Sequence, residues 1–231
     1  MRATVLRALF LSVCAFGVVG AAHAQEGSAW VTRGEALARR IQTENHIITG
    51  DVRRQREDAA QRASGETRLQ ALYDLAADDY IASDADAAVG SLAALDQEAS
   101  AQSSRRFTAM AAILRAYAPA LEGDYVGARR NLAQALRDER DPLVRAAGER
   151  LHAYALTDLG LFGNSLEAAR AGLLHLPDTP ATRTLRAGLH DAMAYNSVRV
   201  GDYEQALHHT ERTVELELAA AIDEAQRFQR R

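Results

Sequence analysis

The phrase "RVGDYEQAL" at residues 199–207 has a close echo, "LEGDYVGARRNL", at 121–132, and a looser one, "DLGLFGNSL", at 158–166. In each, a glycine is followed two residues later by an aromatic ring and three further on by a small side chain. Setting the turns at Gly50, Asp86, Gly123, Gly160 and Gly201 gives intervals of 36, 37, 37 and 41 residues. Tyr80, Tyr117, Tyr154 and Tyr195 stand six residues before the last four turns, and Ala116, Ala153 and Ala194 directly precede three of them. Ser91, Ala128, Ser165 and Ala206 stand five residues after the same turns. A shared period in the thirties, with small residues at matching places, marks a helical repeat.

Each unit has a physical logic. A helix ends at glycine because the left-handed backbone there carries no Cβ clash. Asp124 and Asp202 follow, where a carboxylate accepts the unpaired N–H groups of the next helix and suits its positive end. Tyr125, Phe162 and Tyr203 supply a large apolar plug. The small residues let two helices approach closely, so a bulky side chain at Ala128 or Ala206 should push them apart. Phe107, Met110, Leu114, Tyr117 and Leu121 recur at three and four and predict one apolar stripe, as do Leu185, Leu189 and Ala192. Pro119, in the last turn of its helix, removes a backbone donor and should kink the chain. Hydrophobic residues make up 48% of the chain and prolines number four, which suits helix throughout.

"LRAYAPALEGDYVGARRNLAQAL" and "MAYNSVRVGDYEQALHHTERTV" resemble tetratricopeptide repeats. "LLHLPDTP" places Pro177 after the second helix of its unit, where the family carries proline, and "DERDPLV" places Pro142 two residues late. Glu149 and His190 occupy positions where the family has large apolar residues. The resemblance covers residues 66 to about 220 and implies an all-α solenoid of antiparallel helical hairpins. Ala116, Gly123, Tyr125, Ala128, Ala153, Gly160, Phe162, Pro177, Ala194, Gly201, Tyr203 and Ala206 form its repeat signature. Residues 25–65 read as an N-terminal helical region, a degenerate repeat or a cap. From Tyr203 to Arg231 there is neither glycine nor proline, so one long helix is expected, with residues 221–231 the end of a capping or connector helix.

The first 24 residues have the charged, apolar, small-residue order of a secretory signal: Arg2 and Arg7, a fifteen-residue apolar run, then Ala22 and Ala24. The run is shorter than the roughly 20 residues a membrane span needs. Cleavage after Ala24 would place the chain in the periplasm or outside the cell; a retained signal would anchor it to the inner membrane. Cleavage also removes Cys14, the only cysteine, and lowers the net charge from −4 to −6. An acidic chain has no general electrostatic attraction to nucleic acid or anionic lipid. Membrane contact is expected only if the signal stays or the chain is part of a longer protein.

The sequence contains no lysine, which excludes a phosphate-loop lysine and Schiff-base chemistry. No histidine pair has metal-ligand spacing on one helix face, and no nucleophile motif follows a strand signal. No enzyme, cofactor or metal is expected. The resemblance implies a concave groove lined by the first helix of each hairpin, with Tyr80, Tyr117, Tyr154 and Tyr195 facing it and Arg150 and Asp191 one turn earlier on the same face. The expected role is an exported scaffold binding a peptide or protein segment. The alternative is the sensor portion of a membrane signalling protein of diguanylate cyclase or histidine kinase type, because similar-looking sensor regions run through a long helix into a transmembrane segment.

Overall fold

A computed structural model describes residues 32–37, 39, 52–174 and 176–229; the side chains of Val52, Arg53, Gln55 and residues 221–229 fall outside that description. The expected signal at 1–24, the turn at Gly50 and residues His46 and His175 also lie outside the described residues. Among those described, the regular structure is helical and there are no strands. The helices are α1 (Val52–Arg62), α2 (Gly65–Ile81), α3 (Ala85–Ala101), α4 (Arg105–Tyr117), α5 (Tyr125–Leu136), α6 (Pro142–Asp158), α7 (Phe162–Leu174), α8 (Arg183–Arg199) and α9 (Tyr203–Gln229). Short 3₁₀ segments occupy Ala118–Glu122 and Pro180–Thr182.

One local device ends four of these α-helices and the first 3₁₀ segment. A left-handed residue follows each: Ser83 (φ 56°), Ser103 (φ 51°), Gly123 (φ 83°), Gly160 (φ 73°) and Gly201 (φ 82°). The N–H of the next residue then bonds the carbonyl five residues back, at 3.0 Å for Asp84–Asp79, 2.8 Å for Ser104–Ala99, 3.0 Å for Asp124–Pro119, 2.9 Å for Leu161–Leu156 and 2.8 Å for Asp202–Ser197. This is the Schellman closure, which satisfies carbonyls that the helix itself leaves open. Asp84, Asp124 and Asp202 then accept from the N–H three residues on, at 3.1, 2.8 and 3.1 Å, and start α3, α5 and α9.

Two expectations shift. The turn set at Asp86 belongs at Ser83 and Asp84; Asp86 lies in the first turn of α3. Serine occupies the left-handed position there, so no glycine marks it in the sequence. Pro119 does not kink the last turn of α4. The α-helix stops at Tyr117, and Pro119 is the second residue of the tighter 3₁₀ segment, which Gly123 ends.

The chain forms two compact units. The first, Asp51–Leu161, holds α1 to α6. Within it α2 packs on α1, α3 and α4, and α4 packs on α3, α5 and α6, so α2, α4 and α6 make one row with α3 and α5 nested along it. Small side chains make the approach possible: Ala76, Ala88, Ala111, Ala128, Ala147 and Ala153 are sealed from solvent. Gly148 leaves no room for a side chain, since a Cβ there would meet Leu136 Cδ2 at 2.6 Å and Ile113 Cδ1 at 3.1 Å. The start of α6 is fixed by Asp141, which accepts from the N–H groups of Leu143 and Val144 and from Arg106 Nε at 2.8 Å. Desolvation alone would raise this carboxyl; the Arg106 bond and the two backbone bonds outweigh it and hold Asp141 below the usual carboxylate range.

The second unit comprises Phe162–Arg231 and the N-terminal stretch. Here α8 packs on α7 and α9. Leu37, from a helical segment at residues 32–37, joins Ala206, Leu207, Val214 and Leu218 of α9 in one apolar cluster, with Val198 and Tyr203 against it. Arg33 clamps Glu211 with both arms, at 2.6 and 3.3 Å. Phe162 is half-buried, and the Arg199 guanidinium lies 4.9 Å from its ring centre.

Replacing Ser83 or Ser103 by glycine relieves a left-handed Cβ worth roughly 1–2 kcal/mol, less the flexibility gained when unfolded. Each variant should therefore melt at a higher temperature by calorimetry. Ala128→Arg should unfold the first unit, because overpacking costs roughly 1–3 kcal/mol and a buried unpaired charge more. An unchanged melting temperature for Ala128→Arg would contradict the close approach described.

Candidate functional site

The four tyrosines meet different fates. Tyr80 and Tyr117 are only 3% and 5% exposed, so their rings belong to the core of the first unit. Tyr154 on α6 and Tyr195 on α8 are half-buried and reach the surface of their respective units. Asp191, one turn before Tyr195, is half-buried as well. Arg150 precedes Tyr154 by one turn; its Nε donates to the Tyr154 hydroxyl at 3.5 Å and its guanidinium lies 5.7 Å from the ring centre. The arginine thus pins the ring by a hydrogen bond and a cation–π contact at once.

A polar cluster in the first unit surrounds this pair. Tyr73 of α2 is 1% exposed, and its hydroxyl has no hydrogen-bond partner among the described residues. Burial pushes its ionisation well above the ordinary tyrosine range, opposed by the charge of Arg150. Next along α2, half-buried Asp74 is raised by desolvation, opposed by Arg56, by a 3.0 Å bond from Gln70 and by Arg150. Arg56 reaches across from α1, donates to the Asp74 carbonyl at 3.2 Å and ion-pairs with Asp78. Arg56 and Arg150 thus both act on Asp74, and Arg150 acts on Tyr73 and Tyr154 as well, within one unit. Of these, Asp74, Arg150 and Tyr154 are half-buried and Tyr73 is sealed. The cluster offers no nucleophile paired with a base.

Sequence reasoning missed Tyr73, Asp74 and Arg56. Tyr73 lies outside the column defined by distance to the turn, but it stands seven residues before Tyr80, on the same helix face. That spacing was the available signal. The two polar residues at expected apolar places are both buried. Glu149 is 7% exposed, with Arg145 at 3.7 Å and His152 at 3.5 Å. His190 is 8% exposed and faces His209.

Among the described residues no group of three or more His, Cys, Asp or Glu side chains is arranged to hold a metal ion. None of the described helices is long and apolar enough to cross a membrane. Comparison with family models, with curated proteins and with solved structures gives no match to this chain.

Burying an unpaired hydroxyl costs roughly 1–3 kcal/mol. Tyr73→Phe removes that cost without changing the ring. The variant should be as stable as the parent or more so in urea unfolding; a marked loss of stability would show that the hydroxyl has a partner in solution.

Proposed function

We propose that the chain is a non-enzymatic, tetratricopeptide-like interaction scaffold, an α-solenoid of helical hairpins that binds a peptide or protein segment along its first helices. The row of α2, α4 and α6 with α3 and α5 nested along it supports the solenoid reading. So does the recurrence of one turn at Ser83, Gly123, Gly160 and Gly201, spaced 40, 37 and 41 residues apart, with a further one at Ser103 between the first two. The observation that carries the binding role is the Arg150–Tyr154 pair. A half-buried aromatic held in place by a guanidinium loses little freedom when a partner covers it, which is why tyrosine and arginine concentrate energy at interfaces. The charged, apolar, small-residue order of residues 1–24 supports export to the periplasm as its setting.

A second reading, the sensor portion of a membrane signalling protein, is favoured by the 27-residue length of α9, well beyond the other helices. Sequencing the coding DNA beyond Arg231 separates the two. An in-frame hydrophobic span followed by an output domain supports the sensor; a stop codon supports the scaffold.

Crosslinking in the source cell followed by mass spectrometry identifies the partner and tests the groove. Tyr154→Ala should lower recovery of the crosslinked partner roughly tenfold, the effect of losing about 1.4 kcal/mol at a contact residue, with a smaller change in melting temperature. Unchanged recovery alongside a large loss of stability would return Tyr154 to the core and remove the groove assignment.

A further inference from the structure

We propose that His190 and His209 form an acid-operated latch that holds α9 against α8. The two imidazoles meet between these helices with Nδ1 atoms 3.1 Å apart and ring centres 5.2 Å apart. At that distance one ring donates an N–H and the other accepts with a lone pair, so at least one ring must be neutral at Nδ1. A first proton can be carried on an outer nitrogen. A second leaves two Nδ1–H groups pointed at each other and two positive rings in contact, and the bond must break.

The surroundings sharpen this response. His190 feels the positive charges of Arg186 on its own helix and Arg212 on α9, with His208 alongside; His209 feels His208 and Arg170 of α7. Asp202, at the start of α9, favours a charged His209. The 3₁₀ segment Pro180–Thr182 carries no titratable side chain. In the 32–37 segment Arg33 is engaged by Glu211. Burial is the leading cause that lowers both imidazoles from 6.5 to about 4, and the neighbouring cations add to it. An unfolded chain binds these protons at the ordinary value. The contact is therefore at full strength above pH 6.5 and weakens as the pH falls toward 4.

The rest of the contact suits a latch. Asn196, Ser197, Thr210 and Thr213 are all buried on α8 and α9. Asn196 donates to Ser165 of α7 at 2.9 Å, Thr210 and Thr213 bond back to their own helix at 2.8 and 3.0 Å, and Thr213 also reaches the Ala187 carbonyl of α8 at 3.5 Å. The apolar cluster of Leu207, Val214 and Leu218, with Val198 of α8 against it, also joins the two helices, so loss of the histidine bond loosens this contact rather than abolishing it.

Hydrogen exchange followed by mass spectrometry on the full chain tests the latch, comparing about pH 7.5 with about pH 5 after correction for intrinsic exchange. Peptides from α8 and the first half of α9 should gain roughly tenfold or more in exchange, while α2 to α6 keep their protection. A gain shared equally by both units, or none at all, overturns the proposal. His208→Gln, which removes the exposed neighbour, should keep the selective acid response. The double variant His190→Phe with His209→Leu should lose it, and persistence of the response in that variant overturns the proposal. Should that variant not fold, titration of the ring carbons by NMR in the native chain decides. Both buried rings must titrate clearly below the ordinary histidine value; titration near that value refutes the latch.

Discussion

Everything in this fold depends on reversing the chain abruptly without leaving helix ends unsatisfied. The left-handed residue and the carbonyl bond reaching five residues back do both, five times over. Each closure consumes the same groups in the same order. Small side chains can then recur at the points of contact and always face a neighbour. Ala128 and Ala206, each at the same distance from its turn, are both fully sealed. Gly148 takes the logic further, with the space of a single methyl already filled by Leu136 and Ile113.

The parts legible from the sequence were those where chemistry leaves one choice. Glycine followed by aspartate announced the turns at 123 and 201, and both residues do what their side chains dictate. The turn after α2 was read three residues late, because Ser83 adopts a backbone that serine seldom enters and nothing local betrays it. Ser103 hid a further turn, between α3 and α4, in the same way. Helix faces were legible from spacing, so Phe107, Met110 and Leu114 fell into the core as their stripe requires.

Which polar groups come together was much harder to read. Spacing from the turn put four tyrosines in one column, but depth below the surface is set by neighbouring helices. Tyr80 and Tyr117 are sealed while Tyr154 is not. Arg56 of α1 and Arg150 of α6 both act on Asp74 of α2, and no local pattern encodes that. Glu149 and His190 stood out as departures from an apolar pattern. Each is nonetheless buried, and the polarity is absorbed by side chains that one sequence does not pair with them: His152 and Arg145 for the glutamate, His209 for the histidine.

The clamp of Arg33 on Glu211 joins residues 178 positions apart, and Leu37 follows it into the apolar cluster on α9. A segment made early during synthesis must therefore wait for α9 before it finds its seat. The whole of Asp51–Leu161 emerges during that interval and contains its own neighbours, so it is free to fold first. Once compact, it shortens the effective loop between the two waiting ends and lowers the entropy cost of joining them. Order of synthesis thus becomes order of assembly: the middle of the chain consolidates before its flanks can meet.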